Sequence, residues 1–164
     1  MAFDDGNPVG PTLSILDRLT DLEPNSKKER PLNPWETLRE LKASVCRDLA
    51  GLLNTRRAEE DFDPGYKEAS NSLLTFGVVD FTSYNLKHTI EQERVRRSIE
   101  RAIRLFEPRL SQVAVTLEEP DPLRPMLHFQ IAAVLHTQSA TEDVLFDATL
   151  NRDSRRVSVS GANS

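Results

Sequence analysis

Cysteine is nearly absent from this 164-residue chain, and the single Cys46 excludes an internal disulfide framework. Such sparing use fits a reducing compartment. Long apolar runs are missing too: none reaches the roughly 18 residues of a membrane span. The opening "MAFDDGNPVGP" has neither the basic region nor the apolar core of a secretory signal. Direct membrane insertion is therefore not expected, and the expected location is cytoplasmic. Aromatic residues make up 6%, too few to interleave with basic residues as stacking on nucleic acid requires. With a net charge of −5 and a pI near 5.3, nucleic acid is not an expected partner.

The motifs of several catalytic classes are also missing. There is no glycine-rich phosphate loop, no G-x-S-x-G elbow and no H-E-x-x-H helix. Only three histidines occur, His88, His128 and His136. The last two fall eight residues apart on one strand face, about 26 Å at the usual rise, too far to share a metal. Cys46 lies among apolar residues of a helical segment and reads as packing material rather than a nucleophile. No cofactor or metal is expected. Acids are plentiful, so a lysozyme-type peptidoglycan hydrolase stands as the alternative, with Glu107 beside Phe106 as its candidate acid. Arg109 and its neighbouring arginines argue against that role, because cations favour the ionised carboxylate over a general acid.

What is present is a sequence of helical periods followed by strand periods. Residues 1–11, rich in Gly, Pro and Asp, read as a flexible leader. Residues 12–160 read as a single domain, and 161–164 as a flexible tail. "TLSILDRLTDL" spaces Leu13, Leu16 and Leu19 for a short helix with Thr12 as its cap. The next helix opens with Asn33, Pro34 and Glu36 in capping positions. It carries Leu38, Leu41, Val45, Leu49 and Leu52 on one stripe and closes near Asn54. "KEASNSLLTFG" predicts a short helix ending near Gly77. "TIEQERVRRSIERAIRLF" predicts a longer one with Val95, Ile99, Ala102, Ile103 and Phe106 inward, stopping at Glu107 before proline.

Past Pro108 the period becomes two. Val113, Val115 and Leu117 share a face, as do Leu127, Phe129, Ile131, Ala133 and Leu135, and then Val144, Phe146, Ala148 and Leu150. "RRVSVS" follows a turn at 151–154 as a closing edge strand. The fold class expected is α+β, with N-terminal helices packed on a C-terminal antiparallel sheet of three to four strands.

Charge is unevenly spread. From Lys27 to Arg57 there are 8 basic and 4 acidic residues, and from Arg94 to Arg109 there are 6 and 2. Arg94, Arg97, Arg101 and Arg104 line one helical face. That face is either solvated and paired with Glu91, Glu93 and Glu100, or a docking surface for an acidic partner. At the joint between helix and strand, Glu107-Pro108-Arg109 sets an acid and a base around a helix breaker. It is either an ordinary solvated helix end or a charge pair presented to a partner.

Two stretches resemble a known family. "SVCRDLAGLLNTRR" is similar to the R-D-L-x-x-L-L-N-T-R-R signature of TssE proteins, baseplate subunits of bacterial type VI secretion systems. "VRRSIERAIRLFEPRLSQVAV" resembles their second signature, an amphipathic helix, the E-P-R motif and a strand. "LSILDRL" resembles their short N-terminal helix. The same domain occurs in the small wedge protein of contractile phage baseplates. One departure is Phe76-Gly77-Val78-Val79-Asp80, where the family usually has aromatic-Gly-Leu-Pro-Asp; the Gly and Asp are kept and the proline is not.

The resemblance implies a structural, non-enzymatic protein. It implies baseplate partners TssF, TssG and TssK, and a platform for the sheath subunits TssB and TssC, at a baseplate docked to the inner membrane complex. It also implies that Glu107, Pro108 and Arg109 form a partner-binding corner, which Pro108 makes rigid; Arg94, Arg97, Arg101 and Arg104 stand beside it as further candidate contacts from their helical spacing. The strand edge at Arg156–Ser160 is expected to accept a partner strand.

Overall fold

The structure, a computed structural model, describes residues 34–57, 66–80, 84, 88–118, 126–137, 140–151 and 154–161. The leader, the helix expected from Thr12 and residues 162–164 lie outside the described residues.

Helix α1 spans Pro34–Asn54. Leu41, Val45, Leu49 and Leu52 are buried as their spacing predicts, Leu38 is partly so, and Leu53 joins them. Each fully buried side chain contributes roughly 1.5–3 kcal/mol. The segment expected as one short helix before Gly77 divides into α2, Lys67–Ser70, and a 3-10 turn at Leu73–Thr75. Ser72 makes the break. Its hydroxyl donates to the Ala69 carbonyl at 2.8 Å and accepts from the Leu74 N–H at 3.3 Å, taking bonds a continuous helix would need.

Helix α3, Thr89–Phe106, buries Val95, Ile99, Ala102 and Ile103, and its terminal Phe106 ring meets Phe76 edge-on at 5.1 Å. The strands β1 (Leu110–Leu117), β2 (Met126–His136), β3 (Thr141–Asn151) and β4 (Arg156–Gly161) follow. They form one antiparallel meander in the order β1-β2-β3-β4. β4 thus runs one residue into the stretch expected as tail. The sheet's register aligns Val115, Ile131 and Phe146 across β1, β2 and β3, and Leu127, Leu150 and Val157 across β2, β3 and β4. Those inward residues face the helices, with α3 against β1 and α1 against β4. The fold is α+β, as the order of periods predicts. Among the described residues no helix is long and apolar enough to cross a membrane.

A bulge interrupts β1. The register shifts between Ser111 and Ala114, and Gln112 takes φ +52°. The extra residue lets Leu110 and Val113 both point inward although they are three apart.

Both edges of the sheet are dressed by side chains from the helices. At β4 the Asn54 amide accepts from the Val157 N–H at 2.9 Å and donates to the Val157 carbonyl at 2.8 Å. At β1 the Glu100 carboxylate accepts from the Val115 N–H at 3.1 Å, and Arg104 donates to the Val113 carbonyl at 3.0 Å. The edge expected to be open along Arg156–Ser160 is therefore occupied at Val157. By strand alternation, Val159 and Gly161 are the β4 residues whose remaining backbone groups face outward.

After α1 the chain makes one parallel bridge, Arg56 opposite Val78. Val78 donates to the Thr55 carbonyl at 2.9 Å and Arg57 donates to the Val78 carbonyl at 3.2 Å. Gly77 permits the approach. It has φ +103°, and a Cβ there would fall 2.3 Å from the Thr55 carbonyl oxygen. Asp80 then pairs with Arg56. Gly77→Ala is expected to lower unfolding free energy by about 1–3 kcal/mol with an unchanged denaturant slope. Urea titration followed by circular dichroism checks this, and an unaltered midpoint would show that the bridge does not require glycine.

Candidate functional site

The corner between α3 and β1 is built by proline. Glu107 closes the helix by donating its N–H to the Ile103 carbonyl at 2.8 Å, and its own carbonyl accepts from the Leu110 N–H at 3.1 Å. Pro108 thus stands at the second position of a four-residue turn, where its fixed φ is favourable. Its ring is exposed.

The flanking charges do not project as the sequence reading has them. Glu107 is only 3% exposed. Its carboxylate accepts two bonds from the Arg109 guanidinium, Nε to Oε1 at 2.6 Å and Nη2 to Oε2 at 2.5 Å. Arg109 reaches further, from Nη1 to the Ser44 hydroxyl at 3.0 Å and from Nη2 to the Asp48 carboxylate. Ser44 and Asp48 are one helical turn apart on α1, so a single planar fork clamps that helix to the corner. The Arg109 carbonyl also accepts from the His136 N–H at 2.9 Å, tying the corner to β2. Hydrogen bonding to Glu107, and then to Asp48, raises the Arg109 pKa and holds it cationic.

The four stripe arginines differ from one another. Arg97 is exposed and pairs with Glu93 at 2.6 Å. Arg104, its side chain 56% exposed, pairs with Glu100 at 3.0 Å and holds the β1 edge. Arg94 and Arg101 are exposed, and neither makes an ion pair among the described residues. Arg96, off the stripe, joins Glu93 and Glu100, both by bonds of 2.5–2.7 Å. Glu100 is a buried carboxylate that Arg96 and Arg104 neutralise and that also accepts from the Val115 N–H. Sequence reading singled out neither Ser44 nor Asp48 nor Arg96, nor the edge role of Asn54. The i, i+4 spacing of Ser44 and Asp48 was the available signal, but their partner lies 61 residues from Asp48.

The other candidates of the sequence fall elsewhere. His136 Nε2 meets the Ser111 hydroxyl at 2.5 Å and His128 Nδ1 meets the Thr149 hydroxyl at 3.3 Å, both on the outer face of the sheet. Cys46 is half-buried, and burial pushes its thiol pKa up. No three His, Cys, Asp or Glu converge as a metal-binding group among the described residues.

The arrangement is a clamp between elements, and its parts coincide with both sequence signatures. The sequence pattern of the family described as baseplate wedge protein gp25 matches residues 39–140. The chain belongs to that family. A search of curated proteins finds no match. The wedge-family match covers most of α1, all of α3, β1 and β2, and therefore both halves of the Arg109 clamp. It stops before β3, so the Asn54–Val157 contact joins the matched region to strands beyond it. The family is one of structural baseplate proteins.

Removing Arg109 leaves Glu107 and Asp48 without their cation. Arg109→Met is expected to cost about 3–5 kcal/mol, with Arg109→Lys recovering only part because an ammonium cannot bond bidentately. A double-mutant cycle between Asp48 and Arg109, read by chemical denaturation, checks it; additive losses would show that the two do not act together.

A pH effect comes from Glu93, whose carboxylate Arg96 and Arg97 hold down to about 2 by hydrogen bonding. Because the folded value is depressed, its contribution is complete above the ordinary carboxylate range, near 4.3, and disappears as pH falls through about 2. In carboxyl-carbon NMR the Glu93 midpoint is expected near that low value, rising toward the ordinary range when Arg96 and Arg97 are both replaced by Gln.

Proposed function

We propose that this wedge-family chain is the TssE-type subunit of a bacterial type VI secretion baseplate. It joins TssF and TssG in the wedge beside TssK and offers a platform where TssB and TssC begin the contractile sheath. The setting is the cytoplasmic face of the inner membrane complex. The observation that carries the reading is the clamp itself. The R-D-L…N-T-R-R stretch and the E-P-R corner, the two TssE-like signatures, meet through Arg109, Ser44 and Asp48.

In this reading the corner serves its partner in two ways. The internal ion pair sets the shape of the turn, and the exposed Pro108 with the outer rim of Asp48 and Arg109 is what a neighbouring wedge subunit touches. A preformed surface of this kind binds with little ordering cost. Strand addition for the sheath belongs at Val159–Gly161, beyond the Asn54 cap.

Purification of the tagged chain from its host, with mass spectrometry, is expected to recover TssF and TssG. Pro108→Asp is expected to reduce that recovery further than Pro108→Ala, the two variants losing the fixed φ alike and differing in the charge placed on the exposed surface. Val159→Pro removes an outward N–H and is expected to retain the wedge partners while sheath assembly fails. If the wild-type chain recovers no secretion component, the proposal fails.

The hydrolase alternative has less support, since both Glu107 oxygens are engaged by Arg109. Turnover of purified peptidoglycan by the wild-type chain, abolished in Glu107→Gln of equal stability, would establish it instead.

A further inference from the structure

The face of α3 opposite the core is composed unusually for a solvated surface. At 100° per residue, Ile90, Arg94, Arg97, Arg101, Arg104 and Leu105 fall within one arc, while Val95, Ile99, Ala102, Ile103 and Phe106 fall opposite. Ile90 is 72% exposed and Leu105 36% exposed, so an apolar residue stands at each end of the arginine row. The row is about 22 Å long at the helical rise.

Its cations are not equally available. Arg104 is committed to Glu100 and the β1 edge, and Arg97 to Glu93. Arg94 and Arg101 make no such pair among the described residues, and they are two turns apart on the same line. The acids of α3 flank the row, so its arc holds four arginines and no acid although the chain as a whole is negative.

From this we infer that the outer face of α3 docks an acidic amphipathic helix of a protein partner. The complementary helix carries carboxylates two turns apart, opposite Arg94 and Arg101, with apolar residues beyond them that cover Ile90 and Leu105. Charge complementarity selects such an occupant. Duplex nucleic acid would follow a groove of phosphates and gain nothing from isoleucine and leucine at the ends. An anionic bilayer would take up a continuous apolar face, which this row does not have. Arg94 and Arg101 set register along the partner and the apolar ends exclude water from the charge pairs. The inference deepens the reading of the chain as a wedge subunit.

The test places a photo-crosslinking residue at Ile90 or at Leu105 of the full chain in its host, with one at Ser158 as control. Mass spectrometry then identifies the captured peptide. The expected product from both α3 positions is one protein segment with acids at i and i+7, absent from the Ser158 control. Arg94→Glu with Arg101→Glu is expected to reduce it about tenfold, at an unchanged melting temperature because both side chains are exposed. Reversing the two captured acids to Lys is expected to restore it.

Crosslinks to nucleic acid or lipid, or a peptide without paired acids, overturn the inference, as does a product indifferent to the charge reversal. Recovery of TssF and TssG with no α3 crosslink overturns the docking face and leaves the baseplate reading standing. An acidic-helix crosslink without any baseplate subunit supports the docking face and overturns the baseplate reading.

Discussion

The joint between α1, α3 and β1 depends on where Arg109 puts its guanidinium. Two carboxylates and a hydroxyl converge on it from two parts of the chain, Glu107 from its own turn and Ser44 and Asp48 from α1. A lysine offers one charged centre with no planar fork and could not satisfy Glu107 through two parallel bonds while holding α1. The burial of Glu107 makes the bond obligatory rather than decorative. A desolvated carboxylate without its cation costs several kcal/mol, a large part of what a domain of this size has in reserve. Proline supplies the other half of the constraint, because a turn with fixed φ keeps acid and base on the same side of the backbone.

From that clamp α1 crosses the inner face of the sheet to its far edge. Asn54 lies six residues beyond Asp48, about 9 Å along the axis, and there its amide closes onto Val157. One helix thus fixes the corner at the start of β1 and caps the edge of β4. Glu100 and Arg104 treat the opposite edge in the same manner, offering an acceptor and a donor to backbone groups that would otherwise invite another strand. On β4 the outward stretch from Val159 to Gly161 lies beyond the Asn54 cap.

Local periods made most of the fold legible, and long-range partners account for the rest. The leucine stripe of α1, the inward face of α3 and the alternation of β2 and β3 are properties of consecutive residues, and each formed as its spacing required. Leu110 escaped that logic because the bulge at Gln112 slips the phase of β1 by one residue. The segment before Gly77 misled for a different reason: its apolar Leu73 and Leu74 suit a helix, yet the Ser72 hydroxyl competes for the backbone. The corner was recognised as special, but its charges were assigned to solvent and partner. Nothing within a few residues of Arg109 reveals that Ser44 and Asp48 wait on another helix. Asn54 was read as a helix terminus for the same reason, its strand partner being 103 residues away.

These internal pairings also decide which surface remains for recognition. A cation that neutralises a buried acid cannot be lent to another protein without exposing that acid, so Arg109, Arg96 and Arg104 are largely spent on the fold itself. Arg97 is held only by an exposed pair, which costs little to exchange. Arg94 and Arg101 have no ion pair to give up among the described residues. The arginine row that looks uniform in sequence is therefore uneven: Arg104 is structural, Arg97 is held by an exchangeable pair, and Arg94 and Arg101 are the available ones. A partner helix of the kind inferred gains most at Arg94 and Arg101, where attraction is offset by no ion pair broken among the described residues.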